Sequence, residues 1–409
     1  TSLKTKNIGG KIMIVRGDGA LMSRSKAVLH PVETTLSGPA ASIAGARFLT
    51  GKSDAVIIDV GGTTSDIGLI SAGKIRLTEE GARVGRWRTH IRAVDMATLG
   101  AGGDSRILIY ERELSAGPRR IVPAGRLTDL KGHEAAFSFL EDLHSDYYSS
   151  TEPMEILALT GRKPDWELSF DEEQILNLLE QRPYSVKELA VKLKHGLWNI
   201  LNTRTLEASA VVQRYGLTPT DILTARAEVN IWPGELSEKL FSLYSAVWGK
   251  EPDELYSDVF ELISDNLLQT LVLQELDVPG DAADRVMDAP TFKALLKNLK
   301  GESRALSLSP SLKKALVGVG AAAPWLLKRL AGHLGVKLII PEDADVANAV
   351  GAVCSMVTVR REASVTPGAD GSFLVNGFED ISRFEAYEDA CSYLEKQLTE
   401  EIRKEAVMA

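Results

Sequence analysis

Hydrophobic and polar positions along the chain alternate between two textures. Residues 55–60 and 65–70 are apolar, β-branched runs on either side of Gly61-Gly62-Thr63-Thr64, a pattern that predicts a β-hairpin closed by a tight glycine turn. Just before it, residues 38–49 are rich in Ala and Gly and predict a small-residue helix, with Ser37 as N-cap and Pro39 in the first turn. Further upstream, Lys11 to Val15 reads as a short strand, and Arg16-Gly17-Asp18-Gly19 as a turn. Residues 71–130 read as mixed strand and loop.

From about 133 to 310 the pattern becomes helical. Within it, residues 168–218 have the order helix, capped helix (Ser185 with Glu188), longer helix and short apolar wing, which is winged-helix-like and is read first as a packing module. Tyr244, Trp248 and Phe260 fall at near-helical spacing, as core aromatics do. From residue 311 the α/β texture returns. A strand runs into Gly318-x-Gly320, a helix covers 325–334, a strand 336–340 and a second small-residue helix 345–356. A turn at 367–371 and a charged amphipathic helix from 387 to 404 close the chain. No internal repeat or low-complexity run is present.

The chemistry concentrates at the glycine turn. Gly61 and Gly62 are expected to permit φ > 0 and close approach to a ligand, and successive N–H groups with the Thr63 and Thr64 hydroxyls form an anion-binding concavity. Asp59, at the end of the first strand, is placed to hold hydrated Mg²⁺ beside a phosphate. A plain hairpin with a polar turn is the alternative that the pattern leaves open. A second glycine cluster spans residues 99–105. Before it, Arg83, Arg86, Arg88 and His90 form either a solvated face or a site for an anion or carboxylate. Gly51-Lys52-Ser53 imitates the end of a Walker A loop, but the spacing from Gly45 is one residue too long and a strand follows, so it is excluded.

Composition narrows the class. The chain has 409 residues, 44% hydrophobic and 25% charged, enough for two or three domains with sizeable cores. A net charge of −9 argues against a general nucleic-acid or anionic-membrane binder. Cys354 and Cys391 are the only cysteines, which fits a reducing cytoplasm and offers no disulfide framework or zinc site. No run of eighteen apolar residues suggests a membrane span. The chain begins mid-pattern with Thr1, as a fragment or processed product would.

Four features therefore stand in a definite order: small-residue helix, phosphate hairpin, strand–Gly-x-Gly–helix, second small-residue helix. This resembles the order of connect-1 helix, second phosphate loop, adenosine loop and connect-2 helix in actin-like ATPases. The words Leu36-Ser-Gly-Pro-Ala-Ala41, Asp59-x-Gly-Gly-Thr-Thr-x-Asp66, Leu99-Gly-Ala-Gly-Gly-x-Ser105 and Ala347-Asn-Ala-x-Gly-Ala352 resemble the hydantoinase A/5-oxoprolinase family, from about 11 to 130 and 311 to 356. Asp104 stands where the family pattern leads one to expect glycine, and the helical middle departs from the large hydantoinases.

The resemblance implies an α/β, actin-like (ribonuclease-H-like) ATPase lobe with a large helical insertion containing the winged-helix-like stretch. The expected segments are 1–52, the end of a first lobe with the connect-1 helix, and 53–130, the phosphate-hairpin part. The insertion follows at 131–310, then the adenosine loop and connect-2 helix at 311–358 and a C-terminal hairpin and helix at 359–409. The implied activity is ATP-dependent hydrolysis of a cyclic amide, hydantoin or 5-oxoproline, through phosphoryl transfer to the amide oxygen. The alternative is a non-hydrolytic nucleotide-binding regulator, or a carboxylase-type subunit with a partner-binding module.

ATP and Mg are the implied cofactors, and a second hydantoinase-type subunit the implied partner. Asp59 (also the metal residue) and Asp66 carry the catalytic assignment. Gly61, Gly62, Thr63, Thr64, Gly318, Gly320 and Ala321 carry nucleotide binding, and Arg86, Arg88, His90, Asp95 and Ser105 the substrate. The family's first phosphate loop has no counterpart here, so this stretch is expected not to turn over ATP alone. The two small-residue helices are expected to cross, with Ala44 and Ala349 in the contact.

Overall fold

A computed structural model of the chain describes residues 9–78, 91–145, 153–195, 201–276, 282–300 and 311–408, together with a few single positions between them. The chain forms two compact units, one of residues 1–51, 73–95 and 346–409, the other of residues 52–72 and 96–345. The second small-residue helix thus joins the unit that holds the first.

In the first unit, strands Met13–Val15 and Leu21–Ser23 pair antiparallel around the Arg16–Gly19 turn. Gly19 has φ +82° and donates its N–H to the Arg16 carbonyl at 3.0 Å. Arg16 is held by Asp18 at 3.0 Å and Glu33 at 3.3 Å, so the Arg-Gly-Asp triplet is an internally paired turn.

Helix Ser37–Thr50 packs on helix Ala347–Cys354. Ser37 is the first helical residue and not the cap; Leu36 holds that place in the left-handed region (φ 62°), with no side-chain cap bond. The close approach is made by Ala41, Gly45, Ala347 and Gly351, all buried. Ala44 is half-buried and Ala349 is exposed, which corrects the residues expected in the contact. The reason is phase: in so short a second helix only one narrow stripe, 347 and 351, can face its partner.

The C-terminal part is a three-stranded antiparallel sheet, Ser364–Pro367, Phe373–Asn376 and Ser382–Phe384, rather than a hairpin. Helix Tyr387–Met408 packs against it through Tyr387 on Phe373 and Tyr393 on Phe384.

The second unit is built on a sheet in the order Leu338–Ile339, Ala315–Val319, Ala55–Val60, Ser65–Ser71, Met96–Leu99. The first three strands are parallel and the last two antiparallel to their neighbours. Ala55 to Ile58 are at most 1% exposed, as a central strand covered on both faces requires. Val56, Ile58, Ile67 and Leu69 share one core with Val259, Ile263 and Leu267 of helix Pro252–Glu275. Much of the helical middle is therefore part of the sheet's own core. Tyr244 and Phe260 are buried there, while Trp248 is half-buried and donates to Asp258 at 2.7 Å.

Residues 156–216 form a smaller core of their own. Helix Phe170–Leu179 begins with a full capping box from Ser169 and Glu172. Ser185 caps helix Val186–Lys192, but Glu188 turns its carboxylate to Arg182 instead of closing the box. These elements do not form a winged helix. The expected long third helix is the five-residue Arg204–Ala208, and the expected wing, Val212–Gly216, is an inner strand between Ile156–Leu159 and Val122–Pro123. A strand with partners on both sides buries Val212 and Tyr215 and pairs its backbone twice, which an exposed wing cannot do.

Candidate phosphate-binding site

The hairpin forms with Asp59 opposite Asp66 and Val60 opposite Ser65, leaving Gly61 to Thr64 as the turn. Gly61 gives its N–H to the Thr64 carbonyl at 2.9 Å, closing the turn. That removes Gly61 from the expected set of phosphate donors. The N–H groups of Gly62, Thr63 and Thr64 and both threonine hydroxyls have no partner among the described residues. They make a donor-rich, half-exposed concavity of the kind that takes an anion.

Neither Gly61 nor Gly62 has positive φ, so the left-handed backbone expected there is not the reason for glycine. Gly62 lies against a side chain instead: a Cβ would stand 2.6 Å from Oδ2 of Asp104, so that carboxylate would have to shift.

The second glycine cluster lies directly under this turn. Gly103 and Asp104 donate their N–H groups to the carbonyls of Gly61 (3.0 Å) and Gly62 (2.7 Å). A Cβ on Gly102 would come within 2.4 Å of the Gly61 oxygen, so glycine is obligatory for the contact. Ser65 donates its hydroxyl to the Ala101 carbonyl at 2.7 Å, and Ser105 accepts from the Gly102 N–H at 2.7 Å. Ser105 is 1% exposed and spent on this loop, so it does not reach a substrate. Asp104, in the place of an expected glycine, pairs with Arg120 at 2.9 Å.

A third layer supports the loop. Thr220 donates both its N–H (3.0 Å) and its hydroxyl (2.7 Å) to the Gly103 carbonyl. Asp221, next to it and fully buried, accepts from the N–H groups of Ala124, Gly125 and Thr218 and from the Thr218 and Ser237 hydroxyls, all between 2.8 and 3.0 Å. Burial pushes the Asp221 carboxyl up to about 6 in spite of these donors.

The carboxylates of the hairpin sit in a row with the neighbouring strand. Asp66 faces Asp59 on one side and Thr98 on the other, and Thr98 donates to its Oδ1 at 2.7 Å. Burial raises the Asp66 carboxyl above its ordinary value; the Thr98 hydrogen bond opposes this and the Asp59 charge adds to it. Two facing carboxylates of this kind can share a divalent cation.

Across the parallel strand pair, Val319 lies beside Asp59. Gly320 follows with φ +89°, its N–H on the Ala344 carbonyl at 2.7 Å. A Cβ there would meet the Val60 oxygen at 2.3 Å and Oδ1 of Asp59 at 2.8 Å. Ala321 is exposed beside it. Gly318 is different: it is buried, and a Cβ would meet Leu327 and Ile340 at 2.7 Å. Its lack of a side chain serves packing under the strand.

Among the expected substrate residues, Asp95 belongs to the first unit, where it pairs with Arg76 at 2.8 Å. Arg86 and His90 lie outside the described residues, and Arg88 is described only as strand backbone in Trp87–Arg88. The sequence reading noted Asp104 only as a departure from the family pattern, and missed Thr98, Thr220 and Asp221. Thr218-Pro219-x-Asp221 before an apolar run is a capping-box pattern that marks the last of these positions.

Residues 1–152 match the hydantoinase/oxoprolinase family model. No curated protein matches the sequence significantly. The nucleotide-free structure of acetone carboxylase, from work on ATP-dependent acetone carboxylation, is similar over 99% of this chain at 15% identity, with a TM-score of 0.51. The chain spans 42% of that protein's chain. The ATP-dependent caprolactamase of Pseudomonas jessenii aligns over 89% of this chain and 39% of its own, at 15% identity and a TM-score of 0.42. The fold is thus mixed α/β of the kind seen in acetone carboxylase, and residues 1–152 are similar to the hydantoinase/oxoprolinase family.

Proposed function

We propose that this chain supplies the phosphate-hairpin part of an ATP-dependent enzyme that opens a cyclic amide of the hydantoin or 5-oxoproline type. The observation that supports it most is the Gly61–Thr64 turn, whose unpartnered donors sit between the Asp59 carboxylate and the Gly102–Asp104 loop. Phosphoryl transfer to an amide oxygen makes the amide carbon susceptible to water, and it depends mainly on positioning and charge neutralisation.

In this reading the N–H groups of Gly62, Thr63 and Thr64 orient the transferred phosphoryl group. Asp59 holds Mg²⁺, which when bound offsets phosphate charge. Asp66, tied to Thr98, keeps the hairpin carboxylates in register. Gly320 lets the backbone of the neighbouring strand turn beside Asp59, with Ala321 on the nucleotide side. The enzyme is read as actin-like, working with a second hydantoinase-type subunit in the cytoplasm; among the described residues no helix is long and apolar enough to cross a membrane.

The test is phosphate release from Mg-ATP by the full-length protein against hydantoins, 5-oxoproline, lactams and ketones with bicarbonate. Stimulation by a cyclic amide, lost in Asp59→Asn, is expected. Stimulation by a ketone and bicarbonate alone would replace this reading with a carboxylase.

A further inference from the structure

A second polar feature of the larger unit lies behind the phosphate turn. A cavity of about 790 Å³ separates residues 119–126 from the smaller core of residues 186–214. Five arginines line it, Arg119, Arg120, Arg126, Arg204 and Arg214, against two carboxylates, Asp104 and Glu207. In a chain with a net charge of −9, such a concentration of positive charge is a local inversion of the protein's field.

The arginines divide by what holds them. Arg214 is 9% exposed and is fixed by Glu155 at 2.6 Å and Glu207 at 2.8 Å, so it forms the floor and its charge is balanced from behind. Arg119 pairs with Glu207 at 2.5 Å and Arg120 with Asp104 at 2.9 Å. Arg126 and Arg204 enter from opposite sides and make no ion pair among the described residues. Both carboxylates on the lining already have arginine partners, which leaves these two guanidinium groups with uncompensated charge. The walls between them are apolar, with Ile121, Val186 and Leu201.

We propose that this cavity is a binding site for a small organic anion, one carrying a carboxylate or phosphate group on a compact apolar body. Arg126 and Arg204 take the charged group through charge-assisted hydrogen bonds, and the apolar walls take the body. Asp104 connects this cavity to the phosphate turn: its N–H holds the Gly62 carbonyl, and its carboxylate both pairs with Arg120 and stands against Gly62. An anion that draws Arg120 away from Asp104 therefore acts on the residue that supports the phosphate turn. The site does not depend on the cyclic-amide reading, since an anion held there would be a substrate's acid group or a separate effector.

Calorimetric titration of the full-length protein, without ATP, tests it. The probes are benzoate, phenyl phosphate, inorganic phosphate and, as the uncharged control, benzamide. Benzoate or phenyl phosphate is expected to bind at millimolar concentration or better, with benzamide silent. Arg126→Ala and Arg204→Ala are each expected to weaken binding about ten-fold, the scale of one charge-assisted hydrogen bond. Their unfolding temperatures should match the parent, since both side chains are exposed. Preference for benzoate over phenyl phosphate points to a carboxylate ligand, and the reverse to a phosphate ester. Asp59→Asn is expected to leave the affinity unchanged, which separates this cavity from the phosphate turn. Equal binding of benzamide, unchanged affinity in both arginine variants, or no binding of any anion overturns the proposal, whatever the ATP assay shows.

Discussion

Gly45 and Gly351 meet where the two small-residue helices cross. A Cβ on Gly45 would lie 1.9 Å from the Ala347 carbonyl oxygen, and one on Gly351 would lie 1.8 Å from that of Ala41. Backbone thus rests on backbone, and neither helix can admit a single added carbon without moving.

Gly45→Ala or Gly351→Ala is therefore expected to destabilise the protein by about 3 kcal/mol or more, the upper range for overpacking. Ala349→Leu, on an exposed face two positions from either contact residue, should stay within about 0.5 kcal/mol. Chemical denaturation of the three variants decides it. A neutral Gly45→Ala and a costly Ala349→Leu would place the contact on the wrong face.

Asp59→Asn is expected to fold normally and to lose Mg-nucleotide turnover in the full-length enzyme by several kcal/mol of transition-state stabilisation, about the worth of a positioned metal. The same change removes the like charge facing Asp66, so the Asp66 carboxyl should titrate lower than in the parent. Carbon-detected NMR of that carboxyl and a steady-state phosphate assay read the two effects separately. Retained turnover would remove Asp59 from the metal role.

Asp221 gives the chain an unusual pH dependence. Its carboxyl, raised to about 6 by burial, holds its proton more tightly in the folded chain than in the unfolded one. Its contribution to stability is therefore complete below pH about 4 and is lost as pH climbs to about 6, in total about 3 kcal/mol. Glu207, Asp258 and Glu261, lowered by their cationic partners, give the opposite slope. Comparison of the parent with Asp221→Asn across pH 4–7 isolates the one group, because the other acids are common to both. The variant should start from a lower stability and lack the falling component. Parallel curves would show that Asp221 is ionised throughout.

Glu155 is 1% exposed and is held by Arg106 and Arg214. Arg214→Met leaves that carboxylate with one cation in place of two and leaves Glu207 with Arg119 as its remaining cation. A loss of about 3–5 kcal/mol is expected, the cost of breaking a buried pair from one side. Urea denaturation measures it, and restoration by Glu155→Gln in the same chain would show that unpaired charge, rather than lost packing, is the cause.

How far the chain can be read without its fold depends on the range of the forces involved. The hairpin at 55–70, the parallel strand before Gly320 and the helix carrying Gly45 are local: their apolar periodicity and glycines specify them within one or two turns of chain. The small-residue helix and the phosphate hairpin, and with them the family resemblance over residues 1–152, were legible for the same reason. Which neighbour each element takes could not be read in this way. Val212–Gly216 has the apolar content of a wing or of an inner strand, and only the partners Ile156–Leu159 and Val122–Pro123 make it the latter. Ser105 looked available to a substrate, but the Gly102 N–H and the packing around it consume it. Gly62 has no positive φ, and what stands against it is Asp104, some forty residues away in sequence, with Oδ2 2.6 Å from where a Cβ would lie. Local sequence fixes backbone preference through short-range sterics. The identity of a buried donor's partner is a long-range matter, settled only when the core closes and every polar group it traps has to find one.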